Sequence, residues 1–141
     1  GNEGTGTKDY RGYQRSHTIS MPHKTDLLCS SDPAFRGDKT KHNPEDLMVA
    51  ALSGCHMLWY LHVCAVNGVV VINYEDQAAG VMRENPDGSG EFTKVVLRPH
   101  VTVANASMIA KANALHEEAH RMCFIARSVN FSVTHEPTAT V

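Results

Sequence analysis

The longest apolar stretch of the chain, residues 43–66, has a pattern that predicts one long helix with Cys55 near its middle. Its first residue is suited to the N-cap and Pro44 to the first helical position, while Glu45 and Asp46 suit the positive end of the helix dipole. No Asp, Glu, Lys or Arg follows within the stretch, and apolar side chains lie on nearly every side. Such a helix is expected in a hydrophobic core or against a partner chain.

Before this helix, the pattern of polar and apolar residues predicts a hairpin and a loop. Residues 10–20 and 23–30 are each typical of a strand, and the Met21-Pro22 pair between them favours a turn. Residues 31–42 contain proline, glycine and mixed charges, which is typical of an exposed loop. This loop is expected to carry Arg36 to the start of the long helix.

After the long helix, two β-rich runs at residues 69–84 and 91–103 are predicted to pair across a turn. Pro99 is expected at a bulge or an edge position. Residues 105–122 carry an apolar stripe at helical spacing and predict a second helix, and residues 129–136 predict a closing strand. The order indicates an α+β fold, an antiparallel sheet with two helices, in a single domain that spans the whole chain.

Length, charge and cysteine content narrow the function classes. A chain of 141 residues can bury a core, and its net charge of −2 with mixed signs gives no nucleic-acid footprint. The long apolar stretch is interrupted by His56, His62 and a Ser-Gly pair, so a soluble core helix is favoured over a membrane span. No signal peptide is expected. The four scattered cysteines form no CxxC pair, so neither a disulfide framework nor a structural zinc site is predicted, and a reducing cytoplasm is the expected setting.

Cys55 and Cys123 are the candidates for thiol chemistry. Both are expected to face inward, one on each predicted helix, and packed helices can bring two such cysteines within disulfide reach. A cysteine that reduces peroxides needs a second thiol, because its sulfenic acid must condense before it is oxidised further. Cys29 and Cys64 are interpreted as small buried apolar residues.

Arg36 and Glu45 are candidates for activating a cysteine. A thiolate in an apolar pocket needs a cation nearby, and that cation needs a carboxylate to hold it in place. The alternatives are a solvated surface arginine and a glutamate that serves only the helix dipole. Glu45 and Cys55 are ten residues apart, about 15 Å along a helix axis, so Glu45 is expected to serve the cysteine of a partner chain.

A third constellation, residues 116–120, matches the HExxH zinc motif, in which both histidines bind the metal and the glutamate acts as base. With nine histidines in the chain, a chance match is easy, and only His135 on another element offers a further ligand. A zinc hydrolase acting through His116, Glu117 and His120 is therefore a distant alternative.

Two segments resemble one known family. The run NPEDL at residues 43–47, with SGC at residues 53–55, resembles the first helix of the OsmC/Ohr family of osmotically inducible and organic hydroperoxide resistance proteins. The run AHRMCFIA at residues 119–126 resembles that family's second-cysteine region. The resemblance covers nearly the whole chain, but His56 stands where many relatives carry phenylalanine, and a first strand found in relatives is not seen.

The resemblance implies an OsmC-like fold in an intertwined homodimer, with the long cysteine-bearing helices at its centre. It implies that Cys55 is the peroxidatic cysteine and Cys123 the resolving one, with Glu45 and Arg36 as the activating pair. The function implied is a thiol-dependent peroxidase for organic hydroperoxides, without cofactor or metal, reduced by a dithiol such as a lipoyl group. The main alternative is a stress-response or binding domain of the same fold with weak thiol chemistry.

Overall fold

The computed structural model describes residues 1–4 and 6–141. The chain groups into two compact units, residues 1–48 and 49–141, and the helix α1 (Pro44–Val66) begins in the first and continues in the second. The single domain expected from the sequence therefore stays a prediction.

The first unit contains the predicted hairpin. Strands β1 (His17–Ile19) and β2 (Leu27–Cys29) pair antiparallel, with Thr18 opposite Leu28. Both strands are shorter than the sequence indicates, but the hairpin itself is confirmed. The loop that follows contains one 3-10 turn, Pro33–Phe35.

Helix α1 begins where its sequence predicts, because its N-terminus is capped reciprocally. The Asn43 side chain accepts a hydrogen bond from the backbone N–H of Asp46 at 2.8 Å, and the Asp46 carboxylate accepts one from the N–H of Asn43 at 3.2 Å. This capping box satisfies two backbone donors at the helix start. The helix ends before Gly68, whose φ of 74° lies in the left-handed region that glycine adopts without strain.

The second unit contains two three-stranded sheets. The two predicted β-rich runs divide into the four strands β3 (Val71–Asp76), β4 (Ala79–Glu84), β5 (Gly90–Leu97) and β6 (Pro99–Val103). The chain then closes with β7 (Ser132–His135) and β8 (Thr138–Thr140). One sheet has the order β3-β6-β8 and the other β4-β5-β7, so each run gives one strand to each sheet.

The pairing within the sheets is mixed. Strand β3 pairs antiparallel with β6, and β4 with β5, whereas β7 and β8 join β5 and β6 in parallel. Pro99 is the first residue of β6, the middle strand of its sheet, where a missing N–H is tolerated. The sequence predicts a bulge or an edge position, but Pro99 lies in a middle strand, and the irregularity between β3 and β6 lies at the other end, between Val71 and Asn73.

The second predicted helix is present in pieces. A 3-10 turn capped by Asn105 leads into α2 (Ile109–Ala114), which is followed after Leu115 by α3 (His116–Met122). The α+β class expected from the sequence is confirmed.

Two apolar clusters form the core of the second unit. The larger cluster joins α1, β6 and the α2–α3 region; its fully buried members include Tyr60, Cys64, Val101, Ala112 and Ala119. The smaller one places Leu52 of α1 against Val95 and Leu97 of β5.

By length and composition alone, α1 is also apolar enough to cross a membrane, and 28% of its most apolar 18-residue window is buried within the chain. Core helices of soluble proteins meet the same criteria, so this is weak evidence for a membrane span.

Candidate functional site

Cys55 lies beside the core-facing side of α1. The buried residues of α1 include Leu52, His56 and Tyr60, which recur every four residues and therefore share one face. Cys55 precedes His56 and so lies about 100° away around the helix, where it is half-buried. The fold thus keeps the Cys55 thiol at the border between core and solvent.

Cys123 lies at the end of α3, as its C-cap. Its φ of −67° and ψ of 114° turn the chain out of the helix, and only 1% of the residue is exposed. The backbone N–H of Ala126 points at the Cys123 sulfur, with 3.5 Å between the nitrogen and Sγ. Cys123 is therefore an inward-facing thiol with a local hydrogen-bond donor.

The two thiols interact with each other. Burial raises the pKa of the Cys123 thiol above its usual range; the N–H of Ala126 opposes this shift, and the neighbouring Cys55 adds to it. Cys123 therefore keeps its proton at neutral pH and can donate it toward the Cys55 sulfur. All four cysteines are free thiols in the structure. The fold brings together the two cysteines that the sequence singles out, while their roles stay predictions.

An apolar cavity of about 240 Å³ lies along α1, on the side of the helix that carries Cys55. It is lined by Leu58, Trp59 and His62, which stand three, four and seven residues after Cys55 and so lie on the same face of the helix. The Trp59 ring meets the ring of Phe124 edge-on, with 5.6 Å between centroids. Because Phe124 follows Cys123 directly, this contact links the cavity to both cysteine segments.

Arg36 and Glu45 lie in the first unit. Arg36 caps the 3-10 turn in a left-handed conformation with φ of 65°, and its side chain is exposed. Glu45 lies in the first turn of α1 and is half-buried. Neither forms an ion pair within the described part of the chain, so their predicted role beside a cysteine stays a prediction.

The HExxH segment has a different arrangement from a zinc-binding helix. His116 is completely buried, and its Nδ1 lies 2.9 Å from Nε2 of the buried His56. Glu117 is 81% exposed and pairs with His135, with 2.9 Å between Oε1 and Nε2. No three His, Cys, Asp or Glu side chains among residues 1–4 and 6–141 are arranged to hold a metal ion. This geometry gives no support to the zinc hydrolase alternative.

The His56–His116 pair is the site feature that sequence reasoning missed. Burial lowers the pKa of His56 to about 4 and that of His116 to about 3, so both rings are neutral at pH 7. A signal was present, because His56 stands four residues from both Leu52 and Tyr60 and shares their buried face. Its partner could not be inferred, since the two histidines are sixty residues apart.

Comparison with known proteins places the chain among OsmC-like proteins. The sequence model of this family matches residues 37–138. An OsmC-like protein of unknown function from Vibrio cholerae is 36% identical, with a TM-score of 0.81 over 89% of this chain and 85% of that one. A comparison with curated proteins gives no significant match.

Two more distant structures share the fold. An organic hydroperoxide resistance protein from Legionella pneumophila is 18% identical, with a TM-score of 0.63 over 89% of this chain and 96% of that one. One from Elizabethkingia anophelis is 13% identical, with a TM-score of 0.65 over 90% of this chain and 94% of that one. The family match over most of the chain and the close Vibrio structure agree: the chain belongs to the OsmC-like protein family.

Proposed function

We propose that the protein is a thiol-dependent peroxidase that reduces organic hydroperoxides to alcohols. The observation that carries this proposal is the interaction between a half-buried Cys55 and a buried Cys123. The more accessible thiol can react with a peroxide, and the buried thiol lies beside it and can react with the sulfenic acid that forms. The names of the Legionella and Elizabethkingia proteins support the same substrate class.

The reaction uses the two cysteines in turn. The Cys55 thiolate attacks one peroxide oxygen, the O–O bond breaks, and the alkoxide takes up a proton and leaves as an alcohol. The Cys55 sulfenic acid then reacts with Cys123: an S–S bond forms, the S–O bond breaks, and hydroxide leaves as water with the Cys123 proton. An external dithiol reduces the disulfide by two exchange steps and restores both thiols. A lipoyl group is the reductant proposed, and the cytoplasm the proposed setting.

The cavity beside Cys55 supports an organic rather than an inorganic peroxide. Leu58 and Trp59 offer apolar surface within one helical turn of the thiol, and such surface favours the hydrocarbon part of a substrate. Hydrogen peroxide has no apolar part to bury there. The preference for organic hydroperoxides over hydrogen peroxide therefore comes from the hydrocarbon group attached to the peroxide.

The direct test is turnover of cumene hydroperoxide and hydrogen peroxide with a dithiol reductant. We expect one equivalent of cumene hydroperoxide to consume the Cys55 and Cys123 thiols, and the dithiol to return them. Cumene hydroperoxide should react faster than hydrogen peroxide. A protein that keeps all its free thiols in the presence of peroxide would instead be a stress-response or binding domain of the same fold.

We further propose that the protein acts as an intertwined homodimer with α1 at its centre. Leu58 and Val66 on α1 are 66% and 67% exposed in the single chain, and Phe124 beside Cys123 is 67% exposed. Large apolar side chains exposed to this extent along one helix are typical of a surface that a partner covers. The mostly unburied apolar window of α1 supports the same assembly.

Arg36→Ala is expected to slow the first oxidation of Cys55 much more than the later reduction of the disulfide. A guanidinium favours the thiolate and polarises the peroxide during attack, whereas disulfide reduction needs neither effect. Stopped-flow measurement of both steps separates them, and Arg36→Lys retains the charge as the matched control. Equal rates in wild type and Arg36→Ala would move the activating role to another cation, such as Arg11 or Arg15.

A mixed dimer tests whether each site is shared between chains. Cys55→Ser and Glu45→Ala are each expected to be inactive as homodimers, since one lacks the nucleophile and the other the carboxylate that orients the cation. If Glu45 serves the partner's cysteine, the isolated mixed dimer contains one intact site and should regain close to half of the wild-type activity. A mixed dimer as inactive as its parents would place Glu45 with the cysteine of its own chain.

A further inference from the structure

A buried polar bridge joins the two helices that carry the cysteines. His56 of α1 and His116 of α3 are 1% and 0% exposed, and their Nε2 and Nδ1 atoms lie 2.9 Å apart. Their rings are parallel within 4°, with 5.2 Å between centroids, so one imidazole N–H donates to the other ring within a common plane. His56 follows Cys55 directly, and His116 stands two helical turns before Cys123 on the same side of α3.

The surroundings hold this bridge in one geometry. The Tyr60 ring stacks on His116, with 3.9 Å between centroids and 6° between planes, and the Tyr60 hydroxyl donates to the carbonyl of Ala112 at 2.8 Å. The His135 ring of β7 lies 5.8 Å from the His56 ring and 5.9 Å from the His116 ring. The imidazoles are therefore packed between helices and sheet, where neither can turn without losing ring contacts.

Breaking the bridge would leave a buried polar atom without a partner. Nε2 of His116 has no hydrogen-bond partner among the described residues, so the bond to His56 is the ring's hydrogen bond. An imidazole that lost it would seek water or another donor, and the helices would have to separate to admit either. The bond therefore contributes to the relative position of α1 and α3, together with the Tyr60 contacts.

We propose that His56 and His116 are positioning residues that hold the Cys55 and Cys123 sulfurs together for disulfide formation. The part that concerns peroxide rests on the proposed function. The bridge acts on the second step, in which the Cys123 sulfur displaces hydroxide from the Cys55 sulfenic acid, because that step alone needs both sulfurs aligned. The first step needs only Cys55 and the peroxide, so it is insensitive to the bridge.

The first test uses no peroxide and measures how well the Cys55 and Cys123 sulfurs are positioned for disulfide formation. In a glutathione redox buffer, the equilibrium between the dithiol and the Cys55–Cys123 disulfide gives the effective concentration of one thiol at the other. His56→Phe and His116→Phe should each lower this value about tenfold, on the order expected when one buried hydrogen bond is lost and its partner is left unpaired. The double variant should lose no more than either single variant, because both changes remove the same bond.

Rescue and control variants separate positioning from general damage. His56→Gln places an amide nitrogen close to the position of the imidazole Nε2 and should recover the effective concentration to within about threefold of wild type. His100→Phe is the control, since it removes an exposed histidine hydrogen bond to Thr138, which joins β6 to β8 and involves neither cysteine helix. It should leave the effective concentration unchanged.

The second test uses competition within the oxidised protein. With excess cumene hydroperoxide, the Cys55 sulfenic acid either forms the disulfide or is oxidised to sulfinic acid, and mass spectrometry gives the ratio. This ratio is independent of the total amount of protein and is compared between variants that are fully folded. His56→Phe should shift it about tenfold toward sulfinic acid, while the rate of the first oxidation stays within about twofold of wild type.

These tests distinguish a failure of the proposed function from a failure of the positioning role. If wild-type thiols do not react with cumene hydroperoxide, the proposed function fails, but the glutathione equilibrium still tests the bridge. Unchanged effective concentrations in folded His56→Phe and His116→Phe would overturn the positioning role. Equal losses in His56→Gln and His56→Phe would also overturn it, because packing rather than the hydrogen bond would then be responsible.

Discussion

Cys55→Ser is expected to reduce the turnover of cumene hydroperoxide to the uncatalysed background. A serine hydroxyl at this position has no base to ionise it and cannot pass through the sulfenic acid on which the cycle depends. Cys123→Ser is expected to behave differently: it should consume one equivalent of peroxide and then stall, because no neighbouring thiol traps the Cys55 sulfenic acid. Continued exposure should convert Cys55 to sulfinic acid, which mass spectrometry detects as a gain of two oxygen atoms.

The other two cysteines provide the control. Cys64 stands nine residues from Cys55, about 13.5 Å along α1, which exceeds disulfide reach. Cys29 is buried in the hairpin of the first unit. The double variant Cys29→Ala, Cys64→Ala should therefore retain turnover. If one equivalent of peroxide oxidised Cys123 and left Cys55 untouched, the roles of the two cysteines would be reversed.

The sequence predicts α1 well because the signals that define it are local. The capping box at Asn43 and Asp46 and the left-handed Gly68 act within a few residues of each helix end. Their effect does not depend on what packs against the helix. The inward placement of Cys123 likewise follows from the stripe of apolar residues before it.

The division of the sheets could not be predicted in the same way. Residues 69–84 and 91–103 look like two uninterrupted strands. In the structure each run contributes one strand to each sheet, and both runs change sheet at neighbouring positions. At these positions the Asp76 carboxylate accepts a hydrogen bond from the N–H of Arg98 at 2.7 Å, and the Arg98 carbonyl accepts one from Gln77. These contacts form only when the strands are already side by side, so neither run alone carries the signal.

Local sequence patterns predict one part of the site, the approach of the two cysteines, but not the surroundings of Cys55. Cys55 and Cys123 can be expected to meet because both are predicted to face inward, one on an all-round apolar helix and the other at the end of a helix with an apolar stripe. The apolar residues near Cys55 in sequence divide between two surfaces: Leu58 and Trp59 line the cavity, whereas Leu52 and Tyr60 are buried in the core. Residues near one another in sequence can lie on opposite sides of a helix, and the buried side is fixed by the sheet it packs on.

Acid is expected to destabilise the folded protein through the buried histidines. The folded-state pKa is lowered to about 4 for His56 and about 3 for His116, chiefly by burial, with further lowering from neighbouring imidazoles that include His135. The unfolded chain binds protons at these positions near pH 6.5, so it gains protons before the folded chain does. The unfolding free energy is therefore unaffected by protonation of these histidines above about pH 6.5. It decreases as the pH falls from there toward 4, because the unfolded chain takes up protons that the folded chain does not.

The expected loss is of order 3 kcal/mol of unfolding free energy between pH 7 and pH 5 for the two groups together. Urea unfolding at fixed ionic strength across this range measures it, and the slope per pH unit reports the number of protons taken up on unfolding. His56→Phe, His116→Phe removes both titrating rings, so its unfolding free energy should depend less on pH even if its value at pH 7 is lower. His100→Phe retains the buried pair and should keep the wild-type slope. A wild-type unfolding free energy that stays constant from pH 7 to pH 5 would mean that the buried imidazoles are not held neutral by the fold.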